Sequence, residues 1–152
     1  ALLIEGRRFA EGAAFCRDPL RRPMTLPEGV WRSNERLATA LATGDRARFA
    51  AVLVHADLFA KPGLYGMPIS WLAAVGAVEP AFDALDAYYF GGTFAGKRYP
   101  PPGPLDKRPN FQLLSTYMLE QRESPRFKAL LERTGLERYW SRSGAQPDFG
   151  KH

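Results

Sequence analysis

The sequence predicts an all-α chain of stacked antiparallel helical hairpins, and three observations carry that prediction. Apolar residues recur at three- and four-residue intervals through most of the chain. Glycine and proline punctuate those stretches. Runs of β-branched residues alternating with polar ones are missing, whereas Ala, Leu, Arg and Glu are common.

The first stripe, Leu2, Leu3, Gly6, Phe9, Ala10, Ala13 and Cys16, predicts a helix over residues 2–16. Asp18-Pro19 ends it, because the residue before proline avoids the helical region. Three prolines make residues 19–27 a loop. A second helix is expected from Trp31 to Thr43, with Trp31, Leu37, Ala38 and Leu41 on one face. Gly44 suits the left-handed position after it, and Asp45 can cap the next helix. That helix carries Phe49, Val52, Leu53, Ala56 and Phe59 or Ala60, and Lys61-Pro62-Gly63 closes it.

Pro68 suits the first turn of a helix bearing Ile69, Leu72, Ala73 and Val75. Gly76 makes a tight turn into a helix with Ala81, Phe82, Leu85 and Tyr88 or Tyr89, which Gly91-Gly92 stops. Residues 97–109 form a Pro-rich loop. Residues 111–120 predict a short helix in which Thr116 and Tyr117 are poor formers. Ser124-Pro125 is an N-cap followed by proline at the first helical position, and that helix packs Phe127, Leu130 and Leu131 before Gly135. A last short helix, Leu136 to Ser143, is expected to bury Tyr139 and Trp140 and to end at Gly144, completing a C-terminal capping helix pair.

Gly44 and Gly76 lie 32 residues apart. At that offset Leu37 falls on Ile69, Leu41 on Ala73, Ala50 on Phe82 and Leu53 on Leu85, each pair apolar. Both units read helix, Gly turn, helix, and such hairpins bury their faces by stacking, which leaves a groove between them. Two ordinary antiparallel helix pairs with Gly turns are the alternative. A third, shorter hairpin would come from the segments at Phe111 and Pro125.

The stretch ISWLAAVGAVEPAFDALDAYYFGG (residues 69–92) resembles a tetratricopeptide hairpin, with Ala81 after the turn and Leu85 and Tyr88 or Tyr89 following. The tail resembles the closing segment of bacterial regulatory proteins with tetratricopeptide-like C-terminal regions. Its features are Ser124-Pro125-Arg126-Phe127, Leu130-Leu131, Gly135-Leu136, Tyr139-Trp140 and Gln146-Pro147-Asp148-Phe149. The early tryptophan, glycine and tyrosine of the full repeat consensus are absent, and residues 99–109 interrupt the repeat. The resemblance covers about half of the chain. It implies a single helical-repeat domain over residues 1–152, the C-terminal part of a longer cytoplasmic protein, with its natural C-terminus near His152. The function it implies is sensing or protein interaction, not catalysis. A subunit packed permanently in a larger complex is the alternative.

The 152 residues carry a net charge of +5, and the whole excess lies in residues 97–152, with 11 basic and 6 acidic residues. There Arg126, Arg133 and Arg138 alternate with Glu123, Glu132 and Glu137, which predicts a salt-bridged solvent face and argues against nucleic acid. No apolar run is long enough to span a membrane. One cysteine and two histidines exclude a disulfide and a Cys- or His-rich metal site. Cys16 reads as a small core hydrophobe, and Asp83 with Asp86 reads as a solvated helix face. No cofactor or metal is expected.

The candidate binding residues are His55, Tyr65, Trp71, Tyr88, Tyr89 and Tyr99, an aromatic set with one histidine near the expected groove. The expected partner is a protein or peptide, with a small effector as a further option. If Tyr88 or Tyr89 lined the groove, alanine there would weaken partner capture more than stability.

Overall fold

Helix starts and stops follow the glycines and prolines. The computed structural model describes residues 7–23, 26–54, 66–98 and 113–145. Among these the chain is mostly helical: α1 (Phe9–Arg17), α2 (Glu28–Thr43), α3 (Arg46–Val54), α4 (Gly66–Ala74), α5 (Val78–Phe90), α6 (Thr116–Leu119), α7 (Pro125–Thr134) and α8 (Leu136–Ser143). Two short strands, β1 (Thr93–Phe94) and β2 (Lys97–Arg98), lie between α5 and α6. Among the described residues no helix is long and apolar enough to cross a membrane. The chain divides into two compact units, Ala1–Ala56 with Ala74–Ala77, and Asp57–Ala73 with Val78–His152.

In the first unit α1 packs along α2. Gly12 and Ala13 put little side chain on the buried face of α1, so α2 can approach closely. Phe15 and Trp31 meet edge to face, with ring centroids 6.1 Å apart. Helix α2 starts three residues before the expected Trp31. The Pro27 carbonyl accepts the amide of Val30 at 2.9 Å, and Glu28 in the first turn suits the positive end of the helix. Val30 is thereby the first buried residue of a face that continues through Leu37, Ala38 and Leu41.

Gly44 and Gly76 both take the left-handed conformation, at φ 80° and 81°. Of the positions paired at the 32-residue offset, Leu37, Ile69, Leu41, Ala73, Phe82, Leu53 and Leu85 are buried, and Ala50 is half-buried.

In the second unit Gly91 and Gly92, at φ 79° and 129°, end α5 and lead into an unexpected strand pair. Thr93 pairs with Arg98 and Phe94 with Lys97, so Lys97 and Arg98 belong to a ladder and not to the Pro-rich loop. Residues 99–109 of that loop lie outside the described residues. The turn is Ala95-Gly96, both at positive φ (50° and 75°), the pattern of a tight hairpin whose usual residues are Asn-Gly. Alanine pays a steric penalty there that asparagine largely escapes. Ala95→Asn is expected to raise stability by about 0.5 kcal/mol, read as a higher urea midpoint with an unchanged slope.

The short helix expected over residues 111–120 is one turn, Thr116–Leu119. Ser115 is extended before it, and its carbonyl accepts the amides of Met118 and Leu119, both at 2.9 Å. Thr116 therefore opens the helix instead of weakening its middle. Helix α7 begins as the sequence predicts: the Ser124 hydroxyl accepts the Phe127 amide at 3.1 Å, and Pro125 follows. Gly135 at φ 78° ends α7 and directly precedes α8.

Helix α8 departs from expectation. None of its residues is buried, Tyr139 is 61% exposed and Trp140 is half-buried. Leu136, Tyr139 and Trp140 do share one side of the helix, with Glu137, Arg138, Ser141 and Arg142 opposite, yet none of the three is buried.

Candidate functional site

On α5 the residues Glu79, Phe82, Asp83, Asp86 and Phe90 fall at helical intervals and form one stripe. On α7 the matching stripe is Arg126, Leu130 and Arg133. The two helices pack together, and the arginines reach across to the acidic stripe. Arg126 donates to Glu79 at 2.6 Å, to Asp83 at 2.8 Å and to Asp86 at 3.1 Å. Arg133 donates to the other oxygen of Asp86 at 2.5 Å. Arg126 lies 5.1 Å from the centroid of the Phe82 ring, and Arg133 lies 3.7 Å from that of Phe90. Asp83 and Asp86 are therefore not the bare solvated pair expected, and Arg126 and Arg133 bond to α5 instead of to their neighbouring glutamates.

Burial pulls the Arg126 guanidinium toward its neutral form. The hydrogen bonds to Asp83, Glu79 and Asp86 outweigh that pull and raise its pKa above the ordinary arginine value. A shallow cleft of about 400 Å³ opens beside this cluster, lined by Asp83, Asp86, Ala87, Gly91, Gly92 and Phe94 among others. Its carboxylates are already bonded to guanidinium groups, so the cluster clamps α7 onto α5. Among the described residues no group of His, Cys, Asp and Glu is arranged to hold a metal ion.

The second surface lies on α8. Gly135, Arg138, Tyr139, Arg142 and Ser143 line a groove of about 490 Å³. Arg138 and Arg142 are four residues apart and so share a face, with Tyr139 beside them. Neither arginine pairs with a carboxylate among the described residues, whereas Arg122, Arg126, Lys128 and Arg133 all do.

No family model, curated protein or solved structure matches the chain.

Of the six candidate binding residues, His55, Tyr65 and Tyr99 lie outside the described residues. Trp71 (7% exposed) and Tyr89 (1%) belong to the core. Tyr88 is half-buried and meets the Tyr89 ring edge to face at 4.9 Å. The four arginines of α7 and α8 were not singled out from sequence as binding or clamping groups. A signal for the clamp exists in the spacing: Glu79 to Asp86 and Arg126 to Arg133 are both seven-residue intervals, two helical turns, on two helices of opposite charge.

Cys16 is 7% exposed, as a core cysteine should be. Burial pushes its thiol pKa up. A raised folded pKa makes its stability contribution complete below the unfolded value of about 8.5 and lost as pH rises through the folded value. Native protein at pH 8 is expected to react with a thiol reagent at least about 100-fold more slowly than urea-unfolded protein, measured by absorbance of the released chromophore.

Proposed function

We propose that the chain is a non-enzymatic protein-interaction domain of the tetratricopeptide-like helical kind, serving a bacterial regulatory protein in the cytoplasm. The observation that carries this reading is α8, an amphipathic helix with no buried residue and with Tyr139 61% exposed. Tyrosine and arginine are, with tryptophan, the side chains enriched where protein interfaces bind most strongly, because each combines apolar area with polar atoms. The hairpin-like recurrence about Gly44 and Gly76 supports the helical-repeat part of the reading. The partner engages the Arg138–Tyr139–Arg142 face, while Trp71 and Tyr89 belong with the other buried residues of their unit to its core.

The test places a photoreactive benzoylphenylalanine at position 139 of the full chain in its native cells, with the same residue at exposed position 47 as the control. A discrete adduct with a second protein at 139, absent at 47, is expected. No adduct at 139, or the same adducts at both positions, would overturn the reading.

A further inference from the structure

We infer that the α8 face takes an acidic peptide segment of its partner, with carboxylates bound by Arg138 and Arg142 and an apolar or aromatic side chain laid against Tyr139. This inference rests on α8 being the contact face and adds the chemistry of what it contacts. Two arginines one turn apart repel each other, and no carboxylate among the described residues relieves that repulsion. Arg126 and Arg133 on α7 show what relief looks like in this protein, because each is met by carboxylates of α5. Arg138 and Arg142 have no such partner among the described residues, and the exposed Glu137 on the same helix pairs with neither. Four residues of helix rise set the two guanidinium stems about 6 Å apart along the axis. That interval is close to the roughly 6.8 Å between alternate residues of an extended chain, so acidic side chains on one edge of such a segment reach both arginines. The fork of each guanidinium suits a carboxylate.

Nucleic acid fits the same face poorly. Tracking a phosphate backbone takes a run of cations, and here the helix offers two arginines together with the exposed Glu137.

The test measures fluorescence anisotropy of a labelled octaglutamate peptide, and of a labelled nine-nucleotide oligothymidylate with eight phosphates, against the full 152-residue chain at low salt. The peptide is expected to bind more tightly than the oligonucleotide. Arg138→Gln with Arg142→Gln is expected to weaken peptide binding at least about tenfold. Arg46→Gln with Arg48→Gln, which removes the same charge from exposed positions on α3, is expected to change it less than twofold. Helical content by circular dichroism should be unchanged in both variants, since all four side chains are exposed.

No measurable peptide binding, equal weakening by the two variant pairs, or tighter binding of the oligonucleotide would each overturn the inference. A position-139 adduct without peptide binding would overturn this inference and leave the interaction reading standing. Loss of both would remove both.

Discussion

Tyr89→Ala is expected to destabilise the protein by about 3–4 kcal/mol and to lower its melting temperature by about 10 °C. The ring is 1% exposed on α5, within the set that includes Phe82, Leu85, Leu113 and Phe127, all at or near complete burial. Removing it forfeits an edge contact with Tyr88 and leaves a void that a close-packed interior fills only in part. Tyr88→Ala, at a half-buried position, is expected to cost about 1 kcal/mol. Tyr89→Phe separates ring from hydroxyl and should retain most of the stability. Urea unfolding followed by circular dichroism gives all three values. Equal effects of Tyr88→Ala and Tyr89→Ala would place the two rings in similar surroundings, contrary to their exposures.

The clamp carries the second large effect. Arg126→Ala should cost about 2 kcal/mol, which is less than three full ion pairs would suggest. Glu79 and Asp83 are well exposed, and water screens their attraction to the guanidinium. The remainder comes from contact with the Phe82 ring and from the mutual repulsion of Glu79 and Asp83, left without a counter-charge while Asp86 keeps Arg133. Arg126→Lys keeps one positive charge but not the fork, and it should recover less than half of the loss. Arg133→Ala touches one carboxylate and one ring, and about 1 kcal/mol is expected. The stability gap between wild type and Arg126→Ala should narrow in 1 M NaCl, because salt screens the exposed members of the cluster. The raised pKa of Arg126 means that its charge, and so its contribution, persists at any alkaline pH at which the protein stays folded.

Helix boundaries were legible because they are local. Gly44, Gly76, Gly91, Gly135 and Gly144 all sit at positive φ where the helices stop, and Ser124-Pro125 caps α7 through its own hydroxyl. The core was legible through periodicity, as with Leu37, Leu41, Phe82 and Leu85. What lay beyond reach depends on partners distant in sequence. Arg126 and Glu79 are 47 residues apart, and nothing near either one says which of the surrounding opposite charges it will meet. The ladder at Thr93 and Arg98 was hidden because two-residue strands have no period to detect. Tyr139 departs from expectation because Leu136, Tyr139 and Trp140 make an apolar side, whereas burial also needs an element to cover that side, and the local sequence of an eight-residue helix does not say whether one is there.

One residue, Gly135, serves two helices at once, as the end of α7 and the start of α8, with no linker between them. The phase of one helix is therefore inherited by the next. Inserting or deleting a single amino acid at this junction would rotate the α8 side chains by about 100° about their axis. Arg138 and Arg142 would then point elsewhere while Arg126 and Arg133 stayed clamped. Point substitutions around Gly135 leave that phase intact, so this stretch should tolerate changes of side chain far better than changes of length.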